Sequence, residues 1–528
     1  MFYIDEIVRA IEESNFDTAL ALIEKNHAEH GSEPEFITVQ AMLCIQAEEY
    51  ETAISILQSG VEKHPKDADL LYNLGHVYNI INNKRKALNY FQSAMQHSDD
   101  KALISELEQI CSDIKSSPEL SRRTSIVVVF FNNLDYNKIC IDSIRQYTEP
   151  SSYEIIAVDN ASSDGTTQWL REQKDLIAVF NEENLGFTAG CNSGIIKADP
   201  QNDLLILNND VAVSHNWLEN LKTCLYSSDN IGAVSPASSN TSNHQSLTVT
   251  YENMEQFYEF SGKYNFSNPE RWEERLRLVM VCYLIKNKAW QTVGVLDELY
   301  SPGNYEDDDY SHRLRCAGYR LMLCTDTYIH HFGSMSFGKD PEAHRKLIYV
   351  NRNKFENKWG FDPYIISDDD IFNIELMKKS GIDINNVLHV GCGGGATLLR
   401  VQQTYKNANV CGLARDMSPL AGDIAKKLNI RLWTDDDIFD NINEKYQCIL
   451  FFANYDKKID NNIQKIASIL EKLLKLIDEP GLIIIRADNI DANELIINPS
   501  VSKTLSGYKV SNVKKDYIII DTSEEKAI

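Results

Sequence analysis

Four consecutive acids, Glu306-Asp307-Asp308-Asp309, lie between an apolar run and the stretch RLRCAGY, whose charged and apolar residues recur at helical spacing. A carboxyl with a second carboxylate beside it and partial burial around it has its pKa raised, which suits it to take a proton near neutral pH. A solvated acidic loop is the plain alternative; the apolar run before it and the helical pattern after it favour a positioned motif. Upstream, the apolar run LLIL ends in Asn208-Asn209-Asp210, an acid delivered at a strand tip, and hard oxygen ligands of that kind suit Mg²⁺ or Mn²⁺. His330 and His331 end another such run, in TYIHHFG. In VDNASSDGT, Asp159 closes a strand, where a carboxylate can accept hydrogen bonds from a nucleobase N–H or ribose hydroxyls, while Asp164 fits Asx-turn chemistry better. Two glycine-bearing stretches follow strands: NEENLGFTAGCNSGI, with Asn184, Gly186, Gly190 and Gly194, and VGCGGGATLL, with Gly391, Gly393 and Gly395. Glycines there let a backbone approach a ligand closely.

These groups need elements to hold them. SIVVVFF from Ser125, YEIIAVDN from Tyr153, LIAVFNEEN from Leu176 and DLLILNND from Asp203 are short β-rich runs, each ending in polar residues and separated by helical stretches. That order predicts a mainly parallel sheet with helices on both faces and ligands at the carboxyl ends of its strands. After the acidic turn Ser367–Asp370, a second set begins with NNVLHVGCGGGATLL from Asn385 and continues with CILFFAN, GLIIIRADN and DYIIIDT from Asp516, predicting a second α/β unit. The first part of the chain repeats instead. NFDTALALI from Asn15, EYETAISIL from Glu49 and NKRKALNYF from Asn83 start 34 residues apart, with Ala19, Ala53 and Ala87 in register, and Ile23, Leu57 and Phe91 one turn later. Leu74, Gly75 and Tyr78 mark a first helix and Pro65 ends a repeat. Ser116 to Arg123 reads as a linker.

At 528 residues the chain has room for three or four domains of roughly 150 residues each. A net charge of -25 argues against broad binding to nucleic acid or anionic membrane, although His344, Arg345, Lys346, Arg352, Lys354 and Lys358 form a local basic patch. The cations of the stretch NRNKFENKWG from Asn351 either contact a diphosphate or solvate a helix, and the second reading is preferred. Eleven scattered cysteines without CxxC spacing read as reduced thiols of a cytoplasmic protein. The acidic, amphipathic start MFYIDEIVRAIEES is not a signal peptide in pattern, and no apolar run is long enough to span a membrane.

Taken in order, the motifs from Thr124 to Ile365 resemble glycosyltransferase family 2, an inverting group with the GT-A fold. The resemblance implies a nucleotide-sugar site (UDP- or dTDP-linked donor) at Asp159, Asn184, Gly186, Asn208, Asn209 and Asp210. It implies a Mn²⁺ or Mg²⁺ site at Asp210 and His331, Asp307 as general base and Glu306 placing the acceptor hydroxyl. Asp309 takes the third acidic position, and Asp308 the variable one whose loss should cost little. Asn208 stands where the family commonly has an aspartate. The 34-residue period resembles the tetratricopeptide repeat, which implies a helical solenoid that docks a protein or serves as a spacer. The second glycine loop resembles the first motif of S-adenosylmethionine-dependent methyltransferases. Ala414 replaces the acid expected to hold the ribose, Asp416 comes two residues late, and FFANYDKKID replaces a later acidic and histidine-bearing segment. A structural Rossmann-like role is therefore expected ahead of methyl transfer. The expected organisation is 1–116 all-α repeats, 124–365 an α/β GT-A domain, and 384–528 an α/β Rossmann-like domain. The expected activity is glycosyl transfer to a hydroxyl on a protein, flagellin or another surface protein, or on a surface glycan. The alternatives are a bifunctional glycosyltransferase and methyltransferase, or a non-catalytic repeat scaffold.

Overall fold

The computed structural model describes residues 2–522 except 82, 334–340, 368–369, 421–422, 435, 454–461, 488–490, 507 and 515–516. Ser334 and Ser336 after the histidine pair, Asp368 and Asp369 of the acidic turn, the stretch 454–460 and Asp516 thus lie outside the described residues.

The 34-residue period appears as helix phase. Asn15, Glu49 and Asn83 are the N-cap residues of Phe16–His30, Tyr50–Lys63 and Lys84–His97, and the two asparagine side chains accept from Thr18 N at 3.4 Å and Lys86 N at 3.2 Å. Ala19, Ala53 and Ala87 are fully buried where antiparallel helices cross, with Ile23, Leu57 and Phe91 filling the space beside them. Gly75 lets Phe91 lie against the Ala68–Ile80 helix; a Cβ there would fall 2.7 Å from the ring.

The segment read as a linker is pinned. It holds a short helix, Pro118–Ser121. Arg122 then donates to Gln201 O at 2.9 Å, Lys222 donates to Arg122 O, and Asp203 N donates to Arg123 O at 3.0 Å. Phe266 of the central unit packs into the core of the repeats.

The first sheet contains β1 (Thr124–Phe130), β2 (Tyr153–Asp159), β3 (Ile177–Phe180), β4 (Asp203–Asn208), β5 (Val211–Ala212), β6 (Ile231–Ser238), β7 (Trp272–Arg275), β8 (Cys282–Ile285) and β9 (Arg320–His331). Its order is β3-β2-β1-β4-β8-β6-β9-β5, with β7 also on β9. The run β3-β2-β1-β4 is parallel, as the sequence pattern predicts. Beyond it the sheet is mixed rather than mainly parallel, because β8 runs antiparallel to both β4 and β6, and β5 and β7 run antiparallel to β9. Both faces are covered. Ile126, Val128 and Phe130 join one core with Ile141 and Leu221, while Val127 joins the other with Ile195 and Leu314.

The second sheet holds β10 (Asn386–Val390), β11 (Asn409–Ala414), β12 (Ile430–Leu432), β13 (Tyr446–Phe452), β14 (Ile477–Arg486), β15 (Lys509–Lys514) and β16 (Tyr517–Asp521), ordered β12-β11-β10-β13-β14-β16-β15. The first five in that order are parallel; β16 is antiparallel to both neighbours. The two sheets share a core in which Leu276, Tyr300 and Phe355 pack with Leu398, Leu399 and Ile424. At its rim, Arg400 meets Glu273 at 2.8 Å and Lys427 meets Glu274 at 2.5 Å. All eleven cysteines are free, and no helix among the described residues is long and apolar enough to cross a membrane.

Candidate active site

The carboxyl ends of β1, β2 and β4 open into a cleft of about 560 Å³. Asn208 is the last residue of β4, and Asn209 and Asp210 turn the chain into β5. Because β5 pairs with the end of β9, with Val211 opposite His331, the Asp210 carboxylate and the His331 imidazole are brought together, with Nε2 to Oδ1 at 3.3 Å. His331 Nδ1 lies 3.2 Å from the Asn240 carbonyl, which can only accept, so in the neutral ring Nε2 carries the lone pair. Two ligands each ~2.1 Å from a small cation, at right angles, lie about 3 Å apart, so this pair has a suitable spacing. The Asn208 Oδ1 in the same cleft is buried without a partner. This donor set fits a divalent ion completed by a diphosphate. His330 points elsewhere: it packs on Tyr251, Phe257 and Phe332, Tyr251 hydrogen-bonds its Nδ1, and burial pushes its pKa down to about 4.

The opposite wall is Asn184, Gly186, Ser301 and Pro302. Gly186 has φ +80°, and a Cβ there would lie 2.5 Å from Pro302 Cα, so glycine is required on both counts. Phe187 N donates to Pro302 O at 2.7 Å, which fixes this wall to the start of the acidic helix. A Cβ on Gly190 would meet the Asn160 amide at 2.8 Å and Val129 at 2.9 Å, and one on Gly194 would meet Val127 at 2.5 Å, so both glycines let the Gly186–Ile195 helix sit down on the sheet.

Asp159 sits beneath the cleft rather than on its wall, and its carboxylate accepts from Ser162 N at 3.0 Å and from the Thr167 hydroxyl. Asx-turn chemistry therefore describes Asp159 as well as Asp164, which accepts from Thr166 N at 3.1 Å and Leu134 N at 2.9 Å. The side chain at this strand end that does line the cleft is Asn160, held by Asn181 at 2.7 Å and donating to Gly186 O at 2.9 Å. Sequence reading passed over it; its place directly after the strand-closing acid was the available signal.

The four acids begin the helix Glu306–Cys316, and the structure gives them four different environments. Glu306 is buried with Oε2 unpartnered, and burial, then the neighbouring Asp307 carboxylate, push its carboxyl well above the usual range. Asp307 is the one of the four that reaches solvent, and its Oδ1 accepts only the backbone N–H of Asp308, at 2.9 Å, among the bonds described. Asp308 is the departure from expectation. It is buried, and one Arg277 nitrogen donates to both its oxygens, at 2.6 and 2.8 Å, so it is a clamped ion pair and not a free variable position. Burial pushes the Asp308 carboxyl up, and Arg277 pulls it back. Asp309 is fully buried among Arg313 (2.8 Å), Lys358 (2.5 Å) and the Trp359 indole (2.9 Å). Three cations of the basic patch, Arg352, Lys354 and Lys358, have partners of their own, while Arg345 and Lys346 are exposed. Lys358 also holds Asp297 at 2.7 Å, Arg352 pairs with Asp362, and Lys354 caps Leu299 O at 2.8 Å, so these cations fasten the Pro341–Trp359 helix to the acidic segment.

In the second sheet, Gly391, Gly393 and Gly395 all take positive φ in a turn after β10, as the glycine pattern requires. The turn is buried and covered from within the chain. Gly394 N donates to Ile365 O at 3.1 Å, and a Cβ on Gly393 would lie 3.2 Å from that same oxygen. Ala414 at the end of β11 is fully buried.

A mixed sheet whose parallel half delivers an Asn-Asn-Asp tip opposite a histidine, with a glycine-fixed wall running into an acidic helix, makes up an α/β domain consistent with the GT-A type. Residues 125–273 match the family model described as Glycosyl transferase family 2, so the chain carries a glycosyltransferase domain of that family. The matched span includes Asp159 through Asp210 and ends before the acidic run and His331. Residues 13–115 match the model of the coatomer epsilon subunit, in keeping with the helical N-terminal region. The glycosyltransferase AglE of Haloferax volcanii is 29% identical over 100 residues, 18% of this chain and 33% of that protein, so the chain spans about a third of this relative's length. Among solved structures, GalNAc-T7 with UDP, GalNAc and Mn²⁺ is 14% identical (TM-score 0.38, 58% of each chain). S. aureus TarS 1–349 with UDP-GlcNAc is 15% identical (TM-score 0.33, 44% of this chain and 67% of that one). The mannosyltransferase PcManGT of Pyrobaculum calidifontis with GDP-Man and Mn²⁺ is also 15% identical (TM-score 0.32, 60% and 94%).

Proposed function

We propose that the chain transfers a sugar, with inversion, from a UDP- or dTDP-linked donor to a hydroxyl on a protein or surface glycan. The observation that carries this reading is the Asp210–His331 pair at 3.3 Å, in one cleft with the unpartnered Asn208 oxygen and the glycine-fixed wall that leads to Glu306 and Asp307. Asp210, His331 and Asn208 would hold a Mn²⁺ or Mg²⁺ ion, which when bound offsets charge on the leaving diphosphate. Asn160, Asn184 and the Gly186 backbone bind and orient the donor, and Asn209 sits beside them, its amide held by Asn137 at 2.7 Å. Asp307 takes the proton from the acceptor hydroxyl as that oxygen bonds to the anomeric carbon and the bond to the diphosphate breaks on the opposite face. Glu306, whose carboxyl burial and the Asp307 carboxylate hold well above the usual range, places the acceptor hydroxyl beside Asp307. Asp159 supports the donor site from below by fixing the turn at Ser162.

We assign residues 1–116 to helical repeats that present a protein acceptor, 124–365 to catalysis, and 384–528 to a Rossmann-like unit with a structural role. The cover of Ile365 over the glycine turn and the buried Ala414 favour that role over methyl transfer from S-adenosylmethionine. The test is transfer assayed in chelator and in Mn²⁺. Loss with EDTA and recovery with Mn²⁺ support the reading, whereas full activity in chelator removes the metal from it.

A further inference from the structure

Arg315 is an anomaly in this molecule. It lies on the Glu306–Cys316 helix, on the side facing the second sheet, and is 2% exposed. Its guanidinium donates to His312 Nδ1 at 2.9 Å and to Pro419 O at 3.5 Å, its Nε has no partner, and no carboxylate pairs with it among the described residues. Burial pushes its pKa down to about 10, so it remains a cation at neutral pH. His312 offers no counter-charge: burial, then the Arg315 charge, push its pKa down to about 3, and the ring is neutral. A buried cation left uncompensated is strongly unfavourable.

Arg315 borders a cavity of about 150 Å³ at the junction of the two sheets, whose charged lining is Arg275, Arg315, Arg320 and Lys427 against Glu274 and Asp423. Glu274 is already shared by Arg320 at 2.8 Å and Lys427 at 2.5 Å. Glu273, outside the cavity, holds Arg275 at 2.7 Å and Arg400 at 2.8 Å. Asp423 is exposed at the rim. With Glu273 and Arg400 included, five cations stand against three carboxylates, in a chain whose net charge is -25. The space is large enough for a tetrahedral oxyanion.

We propose that this cavity binds a small phosphate-class anion, which neutralises Arg315 and ties the acidic helix to the second sheet. The site is separate from the donor cleft and does not depend on the transferase reading. Arginine suits such an anion because its planar donors match phosphoryl oxygens.

The test is thermal unfolding of the full chain titrated with orthophosphate or with glycerol phosphate, against chloride at matched ionic strength. Wild type should show a saturable rise in Tm beyond the chloride control, and His331→Ala, altered only in the donor cleft, should keep it. Lys427→Met, at the partly exposed edge of the cavity, should move the midpoint at least roughly tenfold higher. Arg315→Met should abolish the response; if that variant does not fold, Lys427→Met decides. A response to both probes means the phosphoryl group alone is read, and a response to orthophosphate only assigns the site to the free ion. No saturable rise in wild type, an unchanged midpoint in Lys427→Met, or loss of the response in His331→Ala would overturn the proposal.

Discussion

The acidic run shows how four neighbours acquire different chemistry from burial and partners alone. Asp307→Asn keeps the shape but cannot take a proton, so kcat should fall by about 10² to 10⁴ with little change in donor KM. Asp308→Asn should act on stability instead. Removing one partner from a buried ion pair leaves Arg277 uncompensated at about 3–5 kcal/mol, read as a lower urea midpoint, and an unchanged midpoint would mean the clamp contributes nothing. Glu306 gives a pH test. Its folded pKa is raised above the unfolded one, so its contribution to stability is greatest below the unfolded pKa near 4.5 and is lost as pH rises through the folded value. Glu306→Gln removes that loss. The variant should melt higher than wild type at pH 8, by roughly 2–4 °C per kcal/mol recovered, and the gap should close towards pH 4. A gap that widened on acidification would contradict the burial assigned to this carboxyl.

At the scale of elements, the parallel half of the first sheet was legible because β1, β2 and β4 are continuous apolar runs ended by polar residues, the pattern of a strand buried on both faces, and β3 repeats that pattern at the partly exposed edge. The antiparallel strands were not: β7 and β8 are four residues each, too short to show a period, and β5 is two. The same limit hid the partners of the acidic run, since the Arg277–Asp308 clamp joins residues 31 positions apart and the Asp309–Trp359 bond residues 50 apart. Gly186, Gly190 and Gly194 look identical in sequence and differ only in what lies above them: Pro302 over Gly186, and Val129 and Val127 of the sheet at the other two. Gly186→Ala must strain a φ of +80° and push the Pro302 backbone, so it should lower Tm and also raise donor KM several-fold. Gly194→Ala, pressed against Val127 and Val158, should lower Tm without changing donor KM. If both variants behaved alike, the division between cleft wall and packing glycine would be wrong.

In the whole molecule, the helical region and both sheets are joined by shared cores and by a pinned strap, so neither end is a loosely tethered appendage. Truncation after residue 365 would expose Leu276, Tyr300 and Phe355 and should give an aggregating product. Calorimetry with S-adenosylmethionine should show no binding, because Ile365 occupies the face of the glycine turn; tight binding would restore the bifunctional reading. That the cleft under Asp210 and His331 activates a nucleotide sugar for attack at a position served by Asp307 is our proposal. It is tested most directly by incubating the full chain with a panel of nucleotide sugars and Mn²⁺ and measuring release of the nucleoside diphosphate. Slow release from one donor class is expected, abolished by EDTA and by Asp210→Ala and reduced by Asp307→Asn. Release that continued undiminished in Asp210→Ala, or no release from any donor under conditions where the chain is folded, would contradict it.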